Sequence, residues 1–196
     1  MRMSAFVKAN LWREEKTMRS LIVYESMYGN TRQIAEAIAD GCRRAGEATT
    51  VRAAECEPAE LADLGLLVVG GPTHAWSMSR PKTRDAAVTD AARGAPRLEA
   101  KPGEPGVREL LARLPRLDCP AAAYDTRIGG MPAMVTGHAS AGIARRLRGL
   151  GTELLGRQSF LVTRDNRLQP GELERARAWG VELTEQRAGI ASRRSH

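Results

Sequence analysis

Residues 21–38 join a strand to a helix through one short polar turn, and this unit limits the possible folds more than any other stretch. Leu21–Tyr24 is apolar and partly β-branched, which is typical of a buried strand. Ile34, Ile38 and Cys42 recur every fourth residue, which predicts an amphipathic helix directly after the turn. The first amide N–H groups of such a helix have no carbonyl partner and point into the turn. The sequence therefore predicts an anion-binding turn between this strand and this helix.

The turn itself is polar but uncharged. Ser26 and Thr31 offer hydroxyl groups, Asn30 offers an amide, and Gly29 allows close approach of the backbone. No Lys or Arg lies between Ser26 and Thr31, so a phosphate would be held by neutral donors and the helix dipole. The Gly-Lys-Ser/Thr of a nucleoside triphosphate site and the G-x-G-x-x-G of a dinucleotide site are both absent here. In the alternative interpretation, Ser26 and Thr31 only cap an ordinary helix.

The turn and its flanks resemble the phosphate loop of the flavodoxin family. The matching positions are Ile22, Val23, Tyr24, Ser26, Gly29, Thr31, Ala35 and Ile38. That family binds flavin mononucleotide (FMN) through this loop, so the resemblance implies FMN as the cofactor. It also implies that the phosphate is contacted by Ser26, Met27, Tyr28, Gly29, Asn30 and Thr31. The resemblance extends from about Met18 to Leu183 and is strongest in the first two loops.

The rest of the chain alternates strands with helices. Further strands are predicted at 49–51, 66–69, 121–124 and 160–162, and helices at 83–92, 107–114, 139–150 and from residue 170 onward. Residues 93–105 are rich in Gly, Pro and Ala, which predicts a surface loop. Such alternation indicates an α/β protein whose parallel sheet is covered on both faces. The resemblance implies a flavodoxin-like three-layer sandwich with a five-stranded parallel sheet in the order 2-1-3-4-5.

The loop after the third strand resembles the second flavin loop of the family. In an open parallel sheet the ligand lies beyond the carboxyl ends of the strands, where this loop also lies. The resemblance implies that Pro72, Thr73, His74 and Ala75 border the flavin ring and that Trp76 covers one of its faces. Two roles stay open for His74, as a proton donor or as an ordinary hydrogen-bonding residue. Trp76 has the alternative of packing against neighbouring loops or a partner.

The loop after the fourth strand departs from the family pattern. Asp125, Thr126 and Arg127 are expected to contact the ring, mostly through their backbone. Electron-carrying flavodoxins commonly place a second aromatic residue in this loop, but none occurs from Asp125 to Ser140. One face of the flavin would then be open to a substrate, or the flavin would be held loosely. No catalytic side chain and no metal ligand is predicted, because no Ser-His-Asp, Cys-His or metal-binding set recurs at usable positions.

Charge and cysteine usage narrow the classes of partner and the compartment. Of the formal net charge of +7, residues 1–17 carry +2 and residues 187–196 carry +3, which leaves +2 for the core. No aromatic residue is interleaved with the cluster Arg145, Arg146 and Arg148, which argues against nucleic-acid binding. The three cysteines have no metal-ligand spacing and are typical of a cytoplasmic protein. No apolar run is long enough to predict an integral membrane segment.

The chain is predicted to consist of one domain with two terminal additions. Residues 1–17 are expected to be a poorly ordered extension or to reflect a mis-set start, because their apolar positions are scattered. Residues 18–186 form the predicted FMN-binding domain, and residues 187–196 a basic tail.

Three kinds of function are compatible with these features. The first is electron transfer between redox protein partners. The second is an FMN-dependent oxidoreductase acting on a small quinone-like substrate, such as a quinone reductase or a menaquinone-linked protoporphyrinogen oxidase. The third is a binding module without flavin. A receiver-type phosphoacceptor domain shares the strand order but needs an acidic cluster, for which only Glu25 and Asp125 are available.

Overall fold

The computed structural model describes residues 18–74, 77–81, 99, 104–130 and 137–194. Along the chain its elements are β1 (Met18–Tyr24), α1 (Asn30–Cys42), β2 (Gly46–Arg52), a 3₁₀ turn (Pro58–Leu61), β3 (Leu66–His74), β4 (Ser77–Met78), α2 (Val107–Arg113), β5 (Ala121–Ile128), α3 (Ala139–Gly149), β6 (Leu154–Val162) and α4 (Glu172–Arg194).

Five of the strands form a parallel sheet in the order β2-β1-β3-β5-β6. Numbered by their sequence among these five, the strands stand in the order 2-1-3-4-5, which confirms the predicted topology. The sixth strand, β4, is an antiparallel addition of two residues that pairs with the end of β3. It was not predicted, because so short a strand leaves no periodic pattern in the sequence.

The core is divided between the two faces of the sheet. Because successive side chains of a strand point to opposite faces, Leu21 and Val23 pack on one side of β1 while Ile22 and Tyr24 pack on the other. Helices α2 and α3 cover the first face, and α1 and α4 cover the second. This arrangement confirms the three-layer sandwich.

Helices α1 and α4 approach each other closely at two glycines. A Cβ atom on Gly180 would lie 2.3 Å from the carbonyl oxygen of Ile38, and one on Gly41 would lie 2.1 Å from that of Arg177. These separations leave no room for a side chain, so backbone packs directly on backbone. The long helix α4 thereby sets the position of α1, whose first residue follows the polar turn.

Two predicted segments lie outside the described residues, and a third is part of a longer helix than we expected. The extension 1–17 and the helix expected at 83–92 lie outside the described residues. Helix α4 continues through Arg194 and so includes most of the stretch 187–196 that we set apart as a basic tail. Ile190 is buried, and Arg187 donates a hydrogen bond to the carbonyl oxygen of Gly65 at 3.4 Å. Among the residues with described placement, no helix is both long and apolar enough to span a membrane.

Candidate functional site

The polar turn ends in a glycine that starts helix α1. Gly29 has φ +89°, a conformation in the left-handed region that favours glycine. Its amide donates to the Ser26 hydroxyl at 3.0 Å, and its carbonyl oxygen accepts the Gln33 amide at 3.0 Å. No side chain of the described residues caps the helix, and its first turn contains no acidic residue. A helix start without a side-chain cap is compatible with the predicted anion site, which stays a prediction.

The turn is bound to strand β5 beneath it by two hydroxyl groups. The Thr31 and Thr126 hydroxyl oxygens are 2.8 Å apart and both side chains are buried. The Tyr124 hydroxyl donates to the Thr31 carbonyl oxygen at 3.3 Å. Complete burial raises the pKa of Tyr124 well above its usual range, so this phenol stays protonated and can donate. The first turn of α1 is thus held in place from the core side.

A cleft of about 200 Å³ opens beside this turn, at the carboxyl edge of the sheet. Its walls come from the turn after β1, the end of β3, the end of β5 and the segment around the end of β6. The lining residues are Met27, Tyr28, Asn30, Thr31, Pro72, Thr73, Thr126, Arg127, Ile128, Val162 and Asn166.

Most of the residues predicted for the site meet at this cleft. Eight line it, namely Met27, Tyr28, Asn30, Thr31, Pro72, Thr73, Thr126 and Arg127. Ser26 and Gly29 form the turn behind them. His74 is the last residue of β3, but its side chain is not among the described parts of the chain. Ala75 and Trp76 lie outside the described residues, so the stacking role expected of Trp76 stays a prediction.

Asp125 is placed differently from its neighbours. Because side chains alternate along a strand, Asp125 faces α3, whereas Thr126 faces the cleft. The Asp125 Oδ2 atom accepts the Ser140 amide at 2.8 Å in the first turn of α3. The same helix start is held by Thr73, which lines the cleft. Its hydroxyl oxygen accepts a hydrogen bond from the Ala139 amide at 3.0 Å. The Asp125 carboxylate therefore holds the start of a helix and leaves only its backbone near the cleft.

Sequence reasoning missed the loop between β6 and α4. Asn166, with φ +59°, lies in this loop and lines the cleft. Its backbone carbonyl oxygen and its Oδ1 both accept from the Asn30 Nδ2 atom, each at 3.0 Å. The position of Asn166 after the last predicted strand could have indicated its role. A loop that follows a strand of this parallel sheet lies at the carboxyl edge, as the three predicted flavin loops do. Asn also tolerates the left-handed region better than most residues.

Two residues that line the cleft each have a buried nitrogen donor that a ligand with oxygen acceptors would satisfy. The Asn166 Nδ2 and Arg127 Nε atoms are buried and have no hydrogen-bond partner among the described residues. Both belong to residues that line the cleft, and buried donors are normally paired. Within the described part of the chain, no group of His, Cys, Asp and Glu side chains could hold a metal ion.

An ion pair flanks the turn on the side of α1. Arg32 donates from Nε to the Glu99 Oε1 atom at 3.0 Å and from Nη1 to the Glu36 Oε1 atom at 2.7 Å. These two hydrogen bonds raise the pKa of Arg32 above its usual range, Glu99 having the larger effect. The Glu99 amide also donates to the Met27 carbonyl oxygen at 2.7 Å. Nothing in the local sequence around Glu99 predicted this contact with the turn.

Comparison with known proteins points to one family. Residues 21–83 match a family model described as a flavodoxin domain. No curated protein sequence matches the chain.

Solved flavodoxin structures have the same fold. A flavodoxin from the domain Archaea superposes with a TM-score of 0.59 at 20% identity, covering 87% of this chain and 99% of that one. The flavodoxin of Streptococcus pneumoniae TIGR4 gives 0.60 at 16% identity, covering 86% and 99%. Flavodoxin 1 from Bacillus cereus gives 0.58 at 16% identity, covering 85% and 97%. These structures show that the chain has the flavodoxin-like fold, and the match to the family model covers the part from residue 21 to residue 83.

Proposed function

We propose that this chain binds FMN in the cleft at the carboxyl edge of the sheet and passes electrons between redox partners. One observation carries the proposal: an uncharged turn, followed by a helix without a side-chain cap among the described residues, opens into a cleft bordered by the end of β3 and the end of β5. A monophosphate ester suits the turn, because helix N-termini bind anions through amides and dipole. Bound FMN would supply the redox chemistry by accepting and releasing one or two electrons.

The residues of the cleft divide into two groups by their chemistry. Thr31, Asn30 and the leading amides of α1 would hold the phosphate, with Thr126 fixing the Thr31 hydroxyl. Pro72, Thr73 and Arg127 line the other parts of the cleft and would border the rest of the cofactor. A guanidinium group in the wall favours a ligand that gains negative charge on reduction.

The surface charge supports an acidic redox partner. Arg108 donates to the carbonyl oxygens of Ser79 at 3.0 Å and Met78 at 2.9 Å, just after the β3–β4 pairing. Burial lowers the pKa of Arg108, and the positive charges of Arg146 and Arg80 lower it further. Arg80 therefore lies near Arg108 of α2 and Arg146 of α3, and the carboxylates of Glu109 and Glu25 partly offset their positive charge. A positive surface steers association with a negative one, so we expect an acidic docking face on the partner. We further propose a cytoplasmic location, which the three buried, unpaired cysteines support.

Titration of the purified protein with FMN tests the proposal. We expect a yellow 1:1 complex and a Thr31→Val variant that binds FMN about fivefold more weakly, because one hydrogen bond contributes roughly 1 kcal/mol. Thr184→Val is the matched control, since Thr184 is buried in α4 and its hydroxyl donates to the Val181 carbonyl oxygen. A protein that remains colourless with excess FMN would refute the proposal, and equal affinity in both variants would refute the assigned phosphate contact.

A second candidate is an FMN-dependent oxidoreductase, such as a quinone reductase or a menaquinone-linked protoporphyrinogen oxidase. The absence of any aromatic residue from Asp125 to Ser140 favours it, because a flavin face without a stacking residue leaves room for a substrate. Steady-state turnover of quinones with NAD(P)H separates the two functions. Turnover without an added reductase supports the enzyme, and flavin reduction only by an added reductase supports the carrier.

A further inference from the structure

A carboxylate from a distant part of the chain, that of Glu99, lies against the polar turn. The Glu99 Oε1 atom lies 2.9 Å from the position that a Cβ atom on Gly29 would occupy. The Glu99 amide is hydrogen-bonded to Met27, so both the backbone and the carboxylate of Glu99 contact the turn. The turn that carries no charge of its own therefore has a carboxylate beside it.

This carboxylate also neutralises the one basic residue in the first turn of α1. The Nη2 and Nε atoms of Arg32 lie 2.9 Å and 3.0 Å from the Glu99 Oε1 atom. The Nη1 atom of Arg32 donates to Glu36. Arg32 would otherwise place a full positive charge within one helical turn of the leading amides. Two carboxylates on one guanidinium leave a net negative charge next to the proposed phosphate position.

We propose that Glu99 is a specificity-determining residue that weakens the hold of this turn on a phosphate group. It adds a negative charge near Gly29 and withdraws the positive charge of Arg32, and both effects oppose a dianionic phosphate. The neutral donors then have to bind the phosphate against this field. This inference rests on the proposed function, since it concerns the phosphate end of the FMN cleft.

The test compares Glu99→Gln with the unmodified chain, using FMN and riboflavin as separate probes. Riboflavin lacks the phosphate, so it reports on the rest of the cleft. We expect Glu99→Gln to bind FMN at least threefold more tightly, with riboflavin affinity unchanged, and the gain in FMN affinity to shrink as salt screens the charge.

Glu36→Gln is the matched control. Glu36 also pairs with Arg32, but it lies one helical turn further from the polar turn and is more exposed than Glu99. We expect it to change FMN affinity less than twofold. Arg32→Gln should weaken FMN binding because Glu99 then lacks its partner, and adding Glu99→Gln to that variant should restore the affinity.

The possible outcomes separate this inference from the proposed function. Weaker or unchanged FMN binding by Glu99→Gln, with the unmodified chain still binding FMN, overturns the inference and leaves the function standing. An equal gain for FMN and riboflavin overturns it too, because the effect would then not act on the phosphate. If neither flavin binds any of these proteins, the proposed function fails and the inference fails with it. Thermal unfolding of each variant confirms that the compared proteins are folded.

Discussion

Replacing Gly180 by Ala places a methyl group between two helix backbones. The new Cβ atom would lie 2.3 Å from the Ile38 carbonyl oxygen, 3.1 Å from its carbonyl carbon and 3.2 Å from the Gly41 Cα atom. An ordinary contact with that oxygen needs about 1 Å more. The obstacle is backbone rather than a flexible side chain, so α1 and α4 must move apart.

The expected loss of stability combines two opposing contributions. Overpacking of a close-packed interior costs about 3 kcal/mol when backbones must shift, the upper part of the usual range. Ala is favoured over Gly inside a helix by about 1 kcal/mol. The net loss is therefore about 2 kcal/mol, which corresponds to a fall in Tm of roughly 4–8 °C for a chain of this size.

Gly189→Ala is the matched control for this prediction. Gly189 lies in the same helix, and a Cβ atom there would meet nothing within 4 Å. Only the helix propensity remains, so we expect the control to gain roughly 0.5–1 kcal/mol. Thermal and urea unfolding, followed by circular dichroism, measure both variants. If Gly180→Ala were as stable as Gly189→Ala, the direct contact of α1 with α4 would be refuted.

Two further predictions concern buried polar groups. Asp125→Ala should destabilise the fold by about 1 kcal/mol, since the Ser140 amide loses its acceptor at the start of α3; an unchanged urea midpoint would contradict this contact. Burial raises the pKa of Cys42 and Cys56 from 9.0 to about 11. Because the unfolded thiols ionise near pH 9 and the buried thiols only near pH 11, the stability that comes from burying these neutral thiols is fully present below pH 9. It is lost as the pH rises from 9 through 11. In the folded protein both thiols should resist alkylation at pH 8, whereas unfolded chains should react, and rapid native labelling would contradict their burial.

The fold was predictable because its signals are local. The spacing of Ile34 and Ile38 and the aliphatic run Leu66–Val69 each report the face that an element buries, without reference to the rest of the chain. The strand order followed only from the resemblance to a known family. Strand β4 escaped prediction because its two residues are ordered by pairing with Thr73 and His74 rather than by their own pattern.

The candidate site was predictable only in part, because long-range contacts complete it. Asn30 meets Asn166 across 136 positions of sequence, and Arg32 meets Glu99 across 67. Glu99 falls in a stretch rich in Gly, Pro and Ala that predicts a surface loop and says nothing about what the loop contacts. The placement of Asp125, by contrast, follows from the period of two along β5, which sets it on the opposite face from Thr126.

The most direct test of the account is the affinity of the unmodified protein for FMN compared with riboflavin, measured by calorimetric titration in the same buffer. If neutral donors at the start of α1 hold the phosphate, FMN should bind at least tenfold more tightly, about 1.4 kcal/mol. Equal affinity for the two flavins, or no binding of either, would contradict the account.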